Sequence, residues 1–161
     1  MKRITLLILL FLFSSIYFSM FLGASIGKEM SGKNRFVLGA ELGTYSSIIG
    51  FSLNIYYPIS GTNLDLENTN FSEIKLVEFD PYLLFNLKIS STSIYVGVAP
   101  ILIVNLQNTE IGLYSQEIFH GKLGLKTGAP ITLSLEAITT FNLQFLSTGI
   151  YTLNLGIGLT F

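Results

Sequence analysis

The chain contains no cysteine. Disulfides, thiolate-bound metals and the acylated cysteine of bacterial lipoproteins are therefore excluded. Charge is scarce as well. Only 12% of the 161 residues are Asp, Glu, Lys or Arg, against roughly 25% in an ordinary soluble domain. A surface wholly in water needs more, so lipid is the expected neighbour of part of it. There is no basic run, and the net charge is −1; no nucleic-acid partner is expected. Histidine occurs once, at His120. A single histidine without cysteine does not suggest a transition-metal site, and no glycine-rich nucleotide loop occurs. Neither a metal nor a cofactor is expected.

Apolar residues, by contrast, make up 50% of the chain. The N-terminus reads MKRITLLILLFLFSSIYFS. Lys2 and Arg3 form a positive start, and Ile4 to Phe13 is an apolar run of secretory-signal length. Residues 1–19 are read as a signal peptide cleaved near 15–19, and residues 20–161 as one domain. An uncleaved membrane helix is the alternative, since no charge occurs from Ile4 to Gly27. Removing the signal takes away Lys2 and Arg3. It leaves seven basic and ten acidic residues, a net charge of −3.

Two later stretches, 89–109 and 137–161, are also free of charge. Their composition speaks against helices. In GIYTLNLGIGLTF, the last of them, Tyr151, Leu153, Leu155, Ile157, Leu159 and Phe161 share one face. Thr152, Asn154, Gly156, Gly158 and Thr160 share the other. Period two marks a strand. The same alternation recurs over 18–27, 35–44, 48–59, 77–89, 93–106, 118–127 and 131–141. Each segment suits the roughly 9–11 residues with which a tilted strand crosses a bilayer. In lipid, strands persist only as a closed barrel, because every backbone group needs a partner.

The connections alternate between tight (Tyr45-Ser46, Ser90 to Ser93, Gly128 to Pro130) and longer (28–34, 60–73, 107–116, 142–147). Tight periplasmic turns and longer external loops are the outer-membrane pattern. The expected fold is all-β: an eight-stranded antiparallel up-and-down transmembrane β-barrel, its last strand closing on its first. With its terminal Phe161 and the alternation before it, the chain resembles small eight-stranded bacterial outer-membrane barrels of the OmpX, OmpW and OmpA transmembrane-domain type. The resemblance implies that Tyr151, Leu153, Leu155, Ile157, Leu159 and Phe161 form a C-terminal insertion signal read by the barrel-assembly machinery. It also implies a bacterial outer-membrane location, outer-membrane lipid as neighbour, and a monomer.

Eight charges fall on the small, polar face: Arg35, Glu41, Glu78, Asp80, Lys88, Lys122, Lys126 and Glu136. A Lys or Arg facing lipid at mid-depth costs roughly 2–4 kcal/mol, so these charges, with His120, are expected inside. Four acids face four bases, and an eight-stranded lumen is narrow enough for side chains to fill. A sealed, ion-paired interior is expected, with an ion-selective constriction as the alternative. If Thr127 pairs with Ile131 across the tight turn, Lys122 lies opposite Glu136. Pro81 and Pro100 fall on the lipid face of neighbouring strands and predict a bulge or broken pairing. Ile101 and Ile103 intrude on the luminal face and suggest an apolar plug. The loop acids Glu29, Asp65, Glu67, Glu73, Glu110 and Glu117 outnumber the bases Lys28, Lys33 and Lys75; solvated loop charge is the reading. His120 lacks the His-x-Ser of lipid A deacylases, since Lys122 follows two residues on. No enzyme is expected. A structural or envelope-interaction role leads, followed by a narrow channel or lateral route for small hydrophobic compounds, then by a lipid A-modifying enzyme. A soluble barrel of opposite facing has the same periodicity, but too little charge for a wet exterior.

Overall fold

The computed structural model describes residues 20–30, 34–45, 48–59, 76–107, 109–144 and 147–161, the side chains of 147–150 excepted. The expected signal peptide at 1–19 and the connection at 60–75 lie outside them. Ten strands are formed: β1 Met20–Glu29, β2 Phe36–Thr44, β3 Ile49–Pro58, β4 Leu76–Ile89, β5 Thr92–Pro100, β6 Leu102–Asn105, β7 Glu110–Leu113, β8 Ile118–Thr127, β9 Ile131–Asn142 and β10 Ser147–Thr160. No helix occurs among the described residues.

All pairings are antiparallel and run around a ring, in which β5 pairs with β8 across the β6–β7 excursion. β1 lies between β2 and β10, and β3 pairs with β4 to close it. β6 prolongs β5 along β4, while β7 pairs only with β6 and leads into β8. The ten strands are thus eight staves of one closed barrel. At the seam, Met20 N–H donates to Phe161 O (2.8 Å) and Phe161 N–H to Met20 O (3.0 Å). At this seam the first and last strands leave no open edge.

The pleat explains which side chains go where. In β9, exposed Ile131, Leu133, Leu135 and Ala137 alternate with buried Thr132, Ser134, Glu136 and Ile138. In β5, exposed Ile94, Val96 and Val98 alternate with buried Ser93, Tyr95, Gly97 and Ala99. Around the ring the outside is Leu, Ile, Val and Phe, and the polar and charged side chains are buried within. This is the reverse of a soluble barrel.

Three expectations about local structure need correction. First, Thr127 pairs with Leu133, not Ile131, so Lys122 lies opposite Ile138 and Glu136 opposite Gly124. The turn is wider because Gly128 takes φ +101°, a left-handed conformation that glycine adopts without penalty. Ile131 and its neighbour Pro130 serve β10 instead: Ile131 pairs with Leu159, and Thr160 N–H donates to Pro130 O at 2.8 Å. Second, the connection expected over 107–116 contains β7, whose Ile111 and Leu113 pair with Val104 and Leu102. Third, Glu29, read as a loop acid, ends β1 and is buried.

The prolines behave as proline chemistry requires. The β4–β5 ladder runs to Leu83–Val98 and resumes as Phe79–Leu102 in β6. The intervening levels carry Pro81 and Pro100, neither of which has an N–H to give. β5 ends there, whereas β4 runs through unbroken.

Candidate functional site in the barrel lumen

The barrel interior divides into two regions. Nearer the tight turns, four charges from β2, β8 and β9 meet on the axis. Lys122 Nζ lies 3.2 Å from Glu41 Oε1 and 3.4 Å from Glu136 Oε1. Lys126 Nζ lies 2.6 Å from Glu41 Oε2 and 3.5 Å from Glu136 Oε1. The expected Lys122–Glu136 contact therefore exists, but as a diagonal, with Glu41 bridging both lysines. Lys122 also donates to Ser52 Oγ (3.2 Å) and Asn54 Oδ1 (3.1 Å) on β3. All four charged residues are buried, so each needs the others.

Aromatic side chains wall the cluster. Tyr95 donates to Glu136 Oε1 at 2.5 Å, and Tyr45 donates to Glu41. Lys122 sits 4.3 Å from the Tyr82 ring centre, and Lys126 sits 3.9 Å from that of Phe21. Such cation–π contacts strengthen when water is excluded. Gly124 makes room for this wall: a Cβ there would overlap the Tyr95 ring and hydroxyl. Two cations and two anions leave the plug neutral.

Nearer the longer connections the lumen is not filled. A cavity of about 480 Å³ is lined by apolar Val37, Pro58, Ile101, Ile103 and Ile138 and by polar Glu29, Arg35, Tyr56, Glu78, His120 and Asn154. The interior is packed with buried side chains at the plug but not at this level. Ile101 and Ile103 do not plug this level; they form part of its wall. Arg35, just before β2, makes a bidentate pair with Glu29 at 3.0 and 3.1 Å. His120 Nδ1 lies 2.6 Å from Asp80 Oδ2 and 3.5 Å from Glu78 Oε1. Tyr82 donates to the same Asp80 oxygen at 3.2 Å. The donor atoms of Glu78, Asp80 and His120 lie within 4.8 Å of one another, but His120 and Asp80 already bond directly.

Lys88 stands apart from every pair described above. It is exposed and borders a small second cavity of about 110 Å³ near Ser90, Ser91 and Gly128. Its place near the end of β4 lets the ammonium reach water, so the expected balance of four acids against four bases does not hold inside. With Glu29 added and Lys88 removed, the excess within is acidic, and it lies on the cavity side. The two cavities share no lining residue. The plug residues Tyr45, Tyr82 and Phe21 carried little signal in the sequence; only Tyr95 stood out, by its position on the polar face. The side chains of Tyr151, Leu153, Leu155, Ile157, Leu159 and Phe161 all lie exposed on the outer face.

No protein-family model matches the chain, and no curated protein sequence does. Solved structures do. A de novo designed transmembrane β-barrel aligns with a TM-score of 0.58 at 12% identity, over 89% of this chain and 95% of that one. The N-terminal β-barrel domain of Pseudomonas aeruginosa OprF aligns with 0.57 at 13% identity, over 89% and 97%. Neisserial surface protein A aligns with 0.51 at 12% identity, over 89% and 95%. At such identities the likeness is one of fold. The fold is that of a small transmembrane β-barrel, and the apolar exterior around a charged lumen is the physical counterpart of that class.

Proposed function

We propose that this protein is a small monomeric barrel of a bacterial outer membrane with a structural or envelope-interaction role. It is exported by the signal at 1–19 and inserted through the barrel-assembly machinery, which reads the strand ending at Phe161. Outer-membrane lipid is its standing partner. The observation that carries this reading is the neutral plug of Lys122, Lys126, Glu41 and Glu136 on the axis of an apolar-coated barrel. A conducting pore favours an open lumen with an excess of one sign. Fractionation combined with heat-modifiable gel migration tests location and closure. The expected result is outer-membrane recovery and a fast-migrating unheated band. Purified protein in planar bilayers is expected to give no discrete openings.

A second reading is a narrow or lateral route for small hydrophobic compounds. The lapse in the ladder at Pro81 and Pro100, next to the cavity wall at Ile101, favours it. Discrete, reproducible conductance would favour it over the first. A lipid-modifying enzyme would be indicated by altered lipid A acylation on overexpression that disappears in His120→Ala.

A further inference from the structure

We propose that the 480 Å³ cavity at the long-connection end of the barrel binds a small organic cation, a protonated amine on a short apolar body. Its volume lies within the roughly 300–1,000 Å³ typical of small-molecule sites. Val37, Pro58, Ile101, Ile103 and Ile138 supply apolar wall. The polar groups are acceptor-rich. Glu78 lines the cavity and is only half-buried, and its ion-pairing contact is His120 at 3.5 Å. Asp80 lies behind His120, fully buried, with Oδ1 unpartnered among the described residues. Of the cavity's charged walls, Arg35 is already held in a bidentate pair by Glu29, which leaves Glu78 to set the sign.

Two further groups point to a ligand. Tyr56 is 4% exposed and Asn154 1% exposed, and both line the cavity. The Tyr56 hydroxyl and both amide atoms of Asn154 have no hydrogen-bond partner among the described residues. A buried polar group left unpaired is costly, so an occupant that hydrogen-bonds here recovers that cost. An ammonium donates to Glu78, and to Tyr56 and Asn154 once those covered side chains turn toward it, while its apolar body meets the isoleucine wall. A carboxylate in the same place would face Glu78. A plain hydrocarbon would leave the Tyr56 hydroxyl and the Asn154 amide unpaired.

The test uses the folded protein in nanodiscs of phosphatidylcholine, with methyl-labelled Ile and Val followed by NMR. The probes are 2-phenylethylamine, 2-phenylethanol and 3-phenylpropionate, alike in their apolar part. The amine is expected to shift the Val37, Ile103 and Ile138 methyls saturably, and to bind about tenfold or more tighter than the alcohol or the acid. Glu78→Gln is expected to remove most of that preference. Ile138→Phe fills the cavity without touching its charge and is expected to abolish binding. Heat-modifiable migration identifies the variants that remain folded. Equal binding of amine and alcohol, unchanged affinity in Glu78→Gln, or no saturable shift would overturn the proposal. So would a response at His120 to Zn2+ alone with none of the organic probes binding.

Discussion

At the residue scale, the plug depends on two lysines four positions apart on β8, both facing inward. Removing one charge strands the acids it served. Lys122→Met, which keeps the length and drops the ammonium, should destabilise the barrel by about 3–5 kcal/mol, read from urea unfolding in micelles. Removing an acid along with the lysine restores the charge balance. The double variant Lys122→Met with Glu136→Gln should therefore cost less than Lys122→Met alone, since the amide oxygen introduced at that position can still accept from Tyr95. A double variant that loses the sum of two separate penalties would show that the charges act independently. Gly124 is the matching steric case. Its missing side chain is the space Tyr95 occupies. Gly124→Ala should cost about 1–3 kcal/mol by overpacking, seen as a lower unfolding midpoint.

At the element scale, much of the fold was legible because period two repeats in every stave. Leu133, Leu135 and Leu155 announce an outer face, and Ser134 and Asn154 an inner one, with no knowledge of neighbours. The offset between staves was less legible. Whether Thr127 meets Ile131 or Leu133 depends on the φ of Gly128 and on what β10 asks of Pro130 and Ile131. The Lys122–Glu41 contact spans 81 residues, and only the stagger of the closed barrel places it. Phe21 is harder still. It lies inside between Met20 and Leu22, which are equally apolar, so hydrophobicity alone gives it no side. The proline signal was local and could be read: a residue without an N–H interrupts the ladder wherever it stands. Which of the two strands would break at that level could not be read.

At the scale of the whole molecule, the lumen has two compartments of different character. The plug is neutral, buried and aromatic. The other half is open, partly apolar and rich in acid. An eight-stranded ring encloses just enough width for side chains to fill, so occupancy is decided by which side chains face in. Near the tight turns these are Phe21, Tyr45, Tyr82 and Tyr95 with two lysines. Near the longer connections aliphatic Val37, Ile101, Ile103 and Ile138 share the wall with polar side chains, and Arg35 and Glu29 bind each other beside it instead of reaching across. The division accounts for a barrel whose charged plug separates two cavities that share no lining residue.

The orientation of the two faces underlies all of this, and the absence of native cysteine makes it directly measurable. Single substitutions Thr152→Cys, Leu153→Cys, Asn154→Cys, Leu155→Cys, Gly156→Cys and Ile157→Cys, each spin-labelled in a reconstituted bilayer, report collision with oxygen dissolved in lipid and with a water-soluble nickel chelate. Oxygen accessibility is expected to rise and fall with period two, high at 153, 155 and 157 and low at 152, 154 and 156, with the nickel reagent excluded from the odd positions. High nickel accessibility at Leu153, Leu155 and Ile157, or no alternation, would mean that the apolar face does not meet acyl chains.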